Sequence, residues 1–111
     1  MSEPTRLNPR DFEILVAIGP GSRHGYGIMQ EVRAAGGASR VLGPGTLYRA
    51  LRQLTRRGLI VASQKRDADP QGPPRRYYRL TALGQRVVNH EANRLAALVA
   101  RVLNHPARLG R

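Results

Sequence analysis

Glycine and proline cut this chain into short pieces, and that punctuation limits its fold more than any other feature. Gly19-Pro20-Gly21, Gly36-Gly37 and Gly43-Pro44-Gly45 interrupt the first half, and Gly58 closes the third apolar segment. Asp67-Ala68-Asp69-Pro70-Gln71-Gly72-Pro73-Pro74 then separates two strand-like runs, and only the stretch after Thr81 reads as one long element, ending before Pro106. With 111 residues, 41% of them hydrophobic, these pieces fit one small domain with a modest core and little room for a second.

Asn8 is placed to cap a first helix, with Pro9 at its first position, Asp11 in its first turn, and Phe12, Ile14, Leu15 and Ile18 as its apolar face. His24-Gly25-Tyr26-Gly27 opens a second helix, in which Ile28, Val32 and Ala35 recur at helical spacing. Two glycines at a helix start predict close approach of the backbone to a neighbour. A third helix is expected from about residue 44 to 57, capped by Gly58. Residues 59–65 and 75–80 read as a hairpin, with Tyr78 and Leu80 toward the core and Arg75, Tyr77 and Arg79 outward. Thr81 caps a final helix over about 82–104, in which Val88, Ala92, Leu95, Val99 and Val102 advance by coiled-coil steps over two heptads. That spacing fits a helix lying on its own domain and equally a dimer seam; Leu98 and Leu103 widen the apolar surface beyond it.

The charge adds a partner class. Nineteen basic and seven acidic residues give a net charge of +12, which suits nucleic acid first and an anionic membrane surface second. Eighteen of the basic residues are arginines, whose planar fork suits phosphate and base edges, although a composition bias gives the same ratio. Residues 44–80 hold nine basic against two acidic side chains and so carry +7 of the total.

The third helix concentrates both patterns. At about 100° per residue, Leu47, Ala50, Leu51 and Leu54 share one side, and Arg49, Arg52 and Arg56 fall within roughly 60° on the other. No acid balances these arginines, whereas a merely solvated face usually mixes both signs. Three short helices followed by a basic hairpin is the order of a winged helix-turn-helix, in which the third helix enters the major groove and the wing reaches the backbone. Thr46, Tyr48, Arg49 and Arg52 then lie nearest base edges and phosphates, while Arg56 and Arg57 hold phosphate or face solvent. The rival class is a basic RNA-binding or architectural protein without sequence preference. Such modules display aromatic platforms, and Tyr77 is the one exposed aromatic expected here.

Three motifs resemble the PadR transcriptional regulators over about residues 7–102: HGYGI at 24–28, GPGTLYRALRQLTRRGLI at 43–60 and RRYYRLTALG at 75–84. The resemblance implies a mainly α winged helix-turn-helix with a small β-hairpin, acting as a dimeric repressor. It places the DNA-binding domain at residues 1–81, with the wing at about 59–80, a dimerisation helix at 82–105 and a tail at 106–111. By the same resemblance, Tyr26, Gly45, Thr46, Tyr48 and Arg49 meet double-stranded DNA, and Arg75, Arg76 and Tyr77 clamp its backbone. Val88, Ala92, Leu95, Val99 and Val102 become the homodimer seam. The expected target is a palindromic operator, and a small-molecule effector, whose identity no residue specifies, would act by changing the angle between the two domains. The wing tip departs from the family pattern in holding three prolines and two acids. Some members stack flat aromatic drugs on tryptophans at the seam, and this chain has no Trp.

Other chemistries find little support. The absence of cysteine excludes disulfides and thiolate metal sites, and the default compartment is the cytoplasm. No signal-like segment precedes Asp11, no run reaches membrane-span length, and no membrane partner is expected. His24, His90 and His105 lack zinc-ligand spacing, so no metal or other cofactor is expected. His24 reads as a turn residue at a helix start, Asp67 and Asp69 as turn formers and Glu91 as a helix-surface residue. Ser22, Ser39 and Ser63 stand outside any nucleophile motif, and Gly19-Pro20-Gly21 lacks the lysine of a phosphate loop. No enzyme is expected.

Overall fold

The computed structural model describes residues 7–37, 39–65 and 75–104, with backbone alone at Gln64, Lys65 and Arg75. The wing tip at 66–74, with Asp67 and Asp69, and His105 with the tail lie outside the described residues.

Helix starts are set by side chains that take over amides with no partner in the helix. The Asn8 Oδ1 accepts from the Asp11 N–H at 2.7 Å to begin α1, Pro9–Ile18. His24 Nδ1 accepts from the Gly27 N–H at 3.1 Å to begin α2, Gly25–Ala34. The accepting nitrogen carries no proton, so this cap needs one imidazole tautomer. Helix α3, Pro44–Arg56, has Pro44 in its first turn and no side-chain cap, and Thr81 caps α4, Ala82–Leu103, through the Gly84 N–H at 3.0 Å.

The sheet has three strands where the sequence suggested a hairpin. β1, Arg23–His24, joins β2, Ile60–Lys65, and β3, Arg75–Leu80, in the antiparallel order β1-β3-β2. Arg23 pairs with Tyr78 and His24 with Tyr77, while Ile60 pairs with Leu80 and Lys65 with Arg75. Tyr77, on the face opposite Tyr78, is half-buried rather than fully open: its ring meets the His24 ring edge-on at 5.5 Å. Tyr78 is buried, as expected, and Leu80 packs against the core.

Ile14, Leu15 and Ile18 of α1, Ile28 and Val32 of α2, Leu47, Leu51 and Leu54 of α3, and Val87 of α4 form one core with Leu59, Ile60 and Tyr78. Helix α1 packs on α2 and α4, and α3 on α2 and β2. Where α3 ends, the chain turns through Gly58 at φ 78°, a conformation that favours glycine. Thr81 then ties three elements together: its hydroxyl donates to the Gly58 carbonyl at 2.6 Å, and its amide donates to the Leu59 carbonyl at 3.0 Å.

Helix α4 buries Gly84, Val87 and Glu91 and leaves its second half open. Glu91 is 6% exposed, against the expectation of a surface residue. Arg94 neutralises it with a two-pronged contact, Nη2 to Oε2 at 2.6 Å and Nε to Oε1 at 3.1 Å. The carboxylate in turn raises the Arg94 pKa, first through the hydrogen bond and then through its charge.

At Gly84 an added Cβ would overlap the Leu59 carbonyl oxygen, so both partners in this contact are backbone. Gly84→Ala is expected to destabilise the fold by at least the 1–3 kcal/mol typical of overpacking, seen as a lower thermal midpoint. An unchanged midpoint would contradict this packing of α4 on the start of β2.

Candidate nucleic-acid interface

Helix α3 presents the two faces its sequence implies. Leu47, Ala50, Leu51 and Leu54 are buried, and Arg49, Arg52, Gln53 and Arg56 are exposed on the other side. Gly45 is exposed in the first turn and Thr46 is half-buried. Because the buried stripe is interlocked with α2 and β2, the rotation of the helix is fixed and so is the direction of its arginines.

Tyr48 flanks this face, and Gly25 makes room for it. A Cβ on Gly25 would lie 2.5 Å from the Tyr48 hydroxyl oxygen and 2.8 Å from its ring. The close approach expected from the HGYG glycines is therefore contact between α2 and α3, while a Cβ added at Gly27 would lie 3.2 Å from the Arg23 stem. His24, Gly25, Tyr26, Tyr48 and Arg76 together line a cavity of 270 Å³ where α2, α3 and β3 meet. Tyr26 at 57% and Tyr48 at 41% are the exposed aromatics here, which corrects the choice of Tyr77.

On the wing side of α3, Arg52, Arg56, Arg76 and Tyr78 line a second groove of 250 Å³. Burial pushes the Tyr78 hydroxyl above its ordinary pKa. The neighbouring Arg76, which also donates a hydrogen bond to it, and Arg52 act in the opposite direction. Tyr78 thus stays a neutral hydroxyl at the floor of a basic groove. Arg76 is exposed at its rim, and Arg79 is exposed on the same strand; of Arg75 the backbone alone is described.

Arg57 is exposed, as expected, and also lies near a carboxylate. Its Nη1 lies 3.9 Å from Oδ2 of the buried Asp11, linking the end of α3 to the start of α1. Nothing local in the sequence signals this pair, because Asp11 stands far upstream and reads equally well as a first-turn acid.

The residues of the heptad pattern divide along α4. Val88 packs on its own core and Leu95 is half-buried, whereas Ala92, Val99 and Val102 are exposed, as are Leu98 and Leu103. Among the described residues no helix is long and apolar enough to cross a membrane, and no group of three or more potential ligands is placed to hold a metal ion.

The profile of the transcriptional regulator PadR-like family matches residues 14–90. The chain belongs to the PadR-like family. Its mainly helical winged fold with a small antiparallel sheet has counterparts among solved PadR structures. A transcriptional regulator from Streptococcus is 27% identical, with a TM-score of 0.69 over 86% of this chain and 89% of that one. A PadR-like transcription factor from Bacteroides fragilis is 25% identical, with a TM-score of 0.69 over 86% of this chain and 87% of that one. Bacillus subtilis PadR, solved in complex with operator DNA, shares the fold at 18% identity and a TM-score of 0.62, over 78% of this chain and 48% of that one. Comparison with curated protein sequences gives no match. The PadR-like family is one of transcriptional regulators, and the GPGTLYRALRQLTRRGLI segment of this member contains the amphipathic α3 described above.

Proposed function

We propose that this PadR-like regulator is a sequence-specific, dimeric, cytoplasmic DNA-binding repressor, with residues 1–81 as its DNA-binding unit and 82–105 as its dimerisation helix. The observation that carries the reading is the exposed, acid-free face of α3, where Arg49, Arg52 and Arg56 stand opposite a fully buried stripe. The operator complex of Bacillus subtilis PadR, which shares the fold, supports the choice of duplex DNA over other polyanions.

In this reading α3 enters a major groove N-terminus first, with Gly45, Thr46, Tyr48, Arg49 and Arg52 nearest the DNA. Arg49 and Arg52 are the base readers, because an arginine can donate two hydrogen bonds to one guanine edge. Tyr26 and Tyr48, exposed beside the start of α2, and Arg75, Arg76 and Tyr77 of the wing hold the backbone, which fixes register without reading sequence. Tyr77 contributes chiefly by bracing His24, given their ring contact.

The second half of α4 supplies the dimer seam. Val99 is 54% exposed, and Ala92, Leu98, Val102 and Leu103 are exposed with it, a larger apolar surface than a solvated helix normally carries. Leu95 completes this seam, while Val88 joins it to the domain core. Dimer symmetry then sets two α3 helices about 34 Å apart, one turn of duplex.

Arg49→Ala is expected to weaken binding to a selected operator by about 1–3 kcal/mol and to affect random duplex much less. Equal losses on both would make Arg49 a phosphate contact. Val99→Glu is expected to halve the mass measured by light scattering at unchanged helix content, and an unchanged mass would remove α4 as the seam.

A further inference from the structure

We infer that the flank of α3 facing α1 holds a second row of the DNA backbone, and that Arg10 of α1 is the residue that takes a phosphate there. The inference rests on the DNA-binding reading above. A helix in the major groove lies between two phosphate rows, and the wing can serve only one of them.

Thr46, Gln53 and Arg57 fall within roughly 40° of one another at helical spacing, on the flank away from Tyr48 and Thr55. With Arg10, Asp11 and Arg49 they line a cavity of 440 Å³ between α1 and α3. Three guanidinium groups and one carboxylate thus line it.

Asp11 faces Arg10 without saturating it. Its contacts are long, 3.6 Å to Arg10 Nη2 and 3.9 Å to Arg57 Nη1, and its Oδ1 accepts no hydrogen bond. Glu91, by contrast, binds Arg94 at 2.6 Å through a pair of hydrogen bonds. The Arg10 Nε–H is buried and donates to no acceptor, although the side chain as a whole is 42% exposed. The exposed part of the side chain is what an incoming anion can reach. The nearby Asp11 amide is already held by Asn8, so the donors offered here are side chains. Arginine suits the role because its fork can grip two phosphate oxygens.

The test uses the full chain, a random-sequence duplex and a duplex obtained by selection. Arg10→Gln should show a slope of log affinity against log salt shallower by about 0.9 on both duplexes. A fourfold rise in salt then costs the variant about 3.5-fold less affinity than it costs the wild type. Arg10→Lys should restore the slope, and both variants should melt like the wild type, since the Arg10 ion pair is long and partly solvated. A wild-type slope in Arg10→Gln, with wild-type DNA binding intact, would overturn the assignment and leave the proposed function standing. Absence of duplex binding by the wild type would overturn both.

Discussion

The burial of Leu47, Ala50, Leu51 and Leu54 governs what the rest of this molecule can do. A basic helix free to roll about its axis would present its arginines in every direction and recognise charge alone. Here the roll is fixed from below by α2 and β2, and from the side by the Tyr48 ring seated on Gly25. The end of the helix is fixed as well, because Gly58 and Leu59 are both held by Thr81. The end of α3, the start of β2 and the start of α4 are therefore joined at Thr81.

Charge is segregated along the same lines. Among the described residues, the acids Asp11, Glu13, Glu31 and Glu91 all lie on α1, α2 and α4, and none lies on α3, β2 or β3. Glu31 faces Arg23 at 3.7 Å, Glu91 is bound to Arg94, and Asp11 lies between Arg10 and Arg57. Arg10, Arg23, Arg57 and Arg94 thus lie beside acids, while the arginines of α3 and Arg76 at the rim of the wing have none on their own elements. Such an arrangement raises the potential over one face of a small domain, which speeds association with a polyanion.

Much of this was legible in the sequence, for physical reasons that differ from element to element. Asn8, His24 and Thr81 act within three residues of themselves, so the helix starts are local facts. The two faces of α3 follow from its period, and the glycines of HGYG announced a close approach but not that Tyr48 would make it. β1 was hidden because two residues have no period; only its pairing with β3 defines it as a strand. Glu91 was misread and the Arg57–Asp11 pair was missed for a common reason. Whether a charged side chain points into the fold depends on how distant helices meet, and Asp11, the partner of Arg57, lies on another helix. The heptad pattern of α4 left two readings open; its first half lies on the domain, and its second half carries an exposed apolar surface.

The central claim is that a fixed, acid-free α3 reads sequence as one of a symmetric pair. Selection of bound molecules from a pool of random duplexes, with the full chain, tests that claim most directly. Enrichment of a palindrome whose half-sites lie about one helical turn apart is the predicted result. Binding that enriches no sequence, at any salt concentration that permits a complex, would contradict it and leave a basic module that grips the backbone alone.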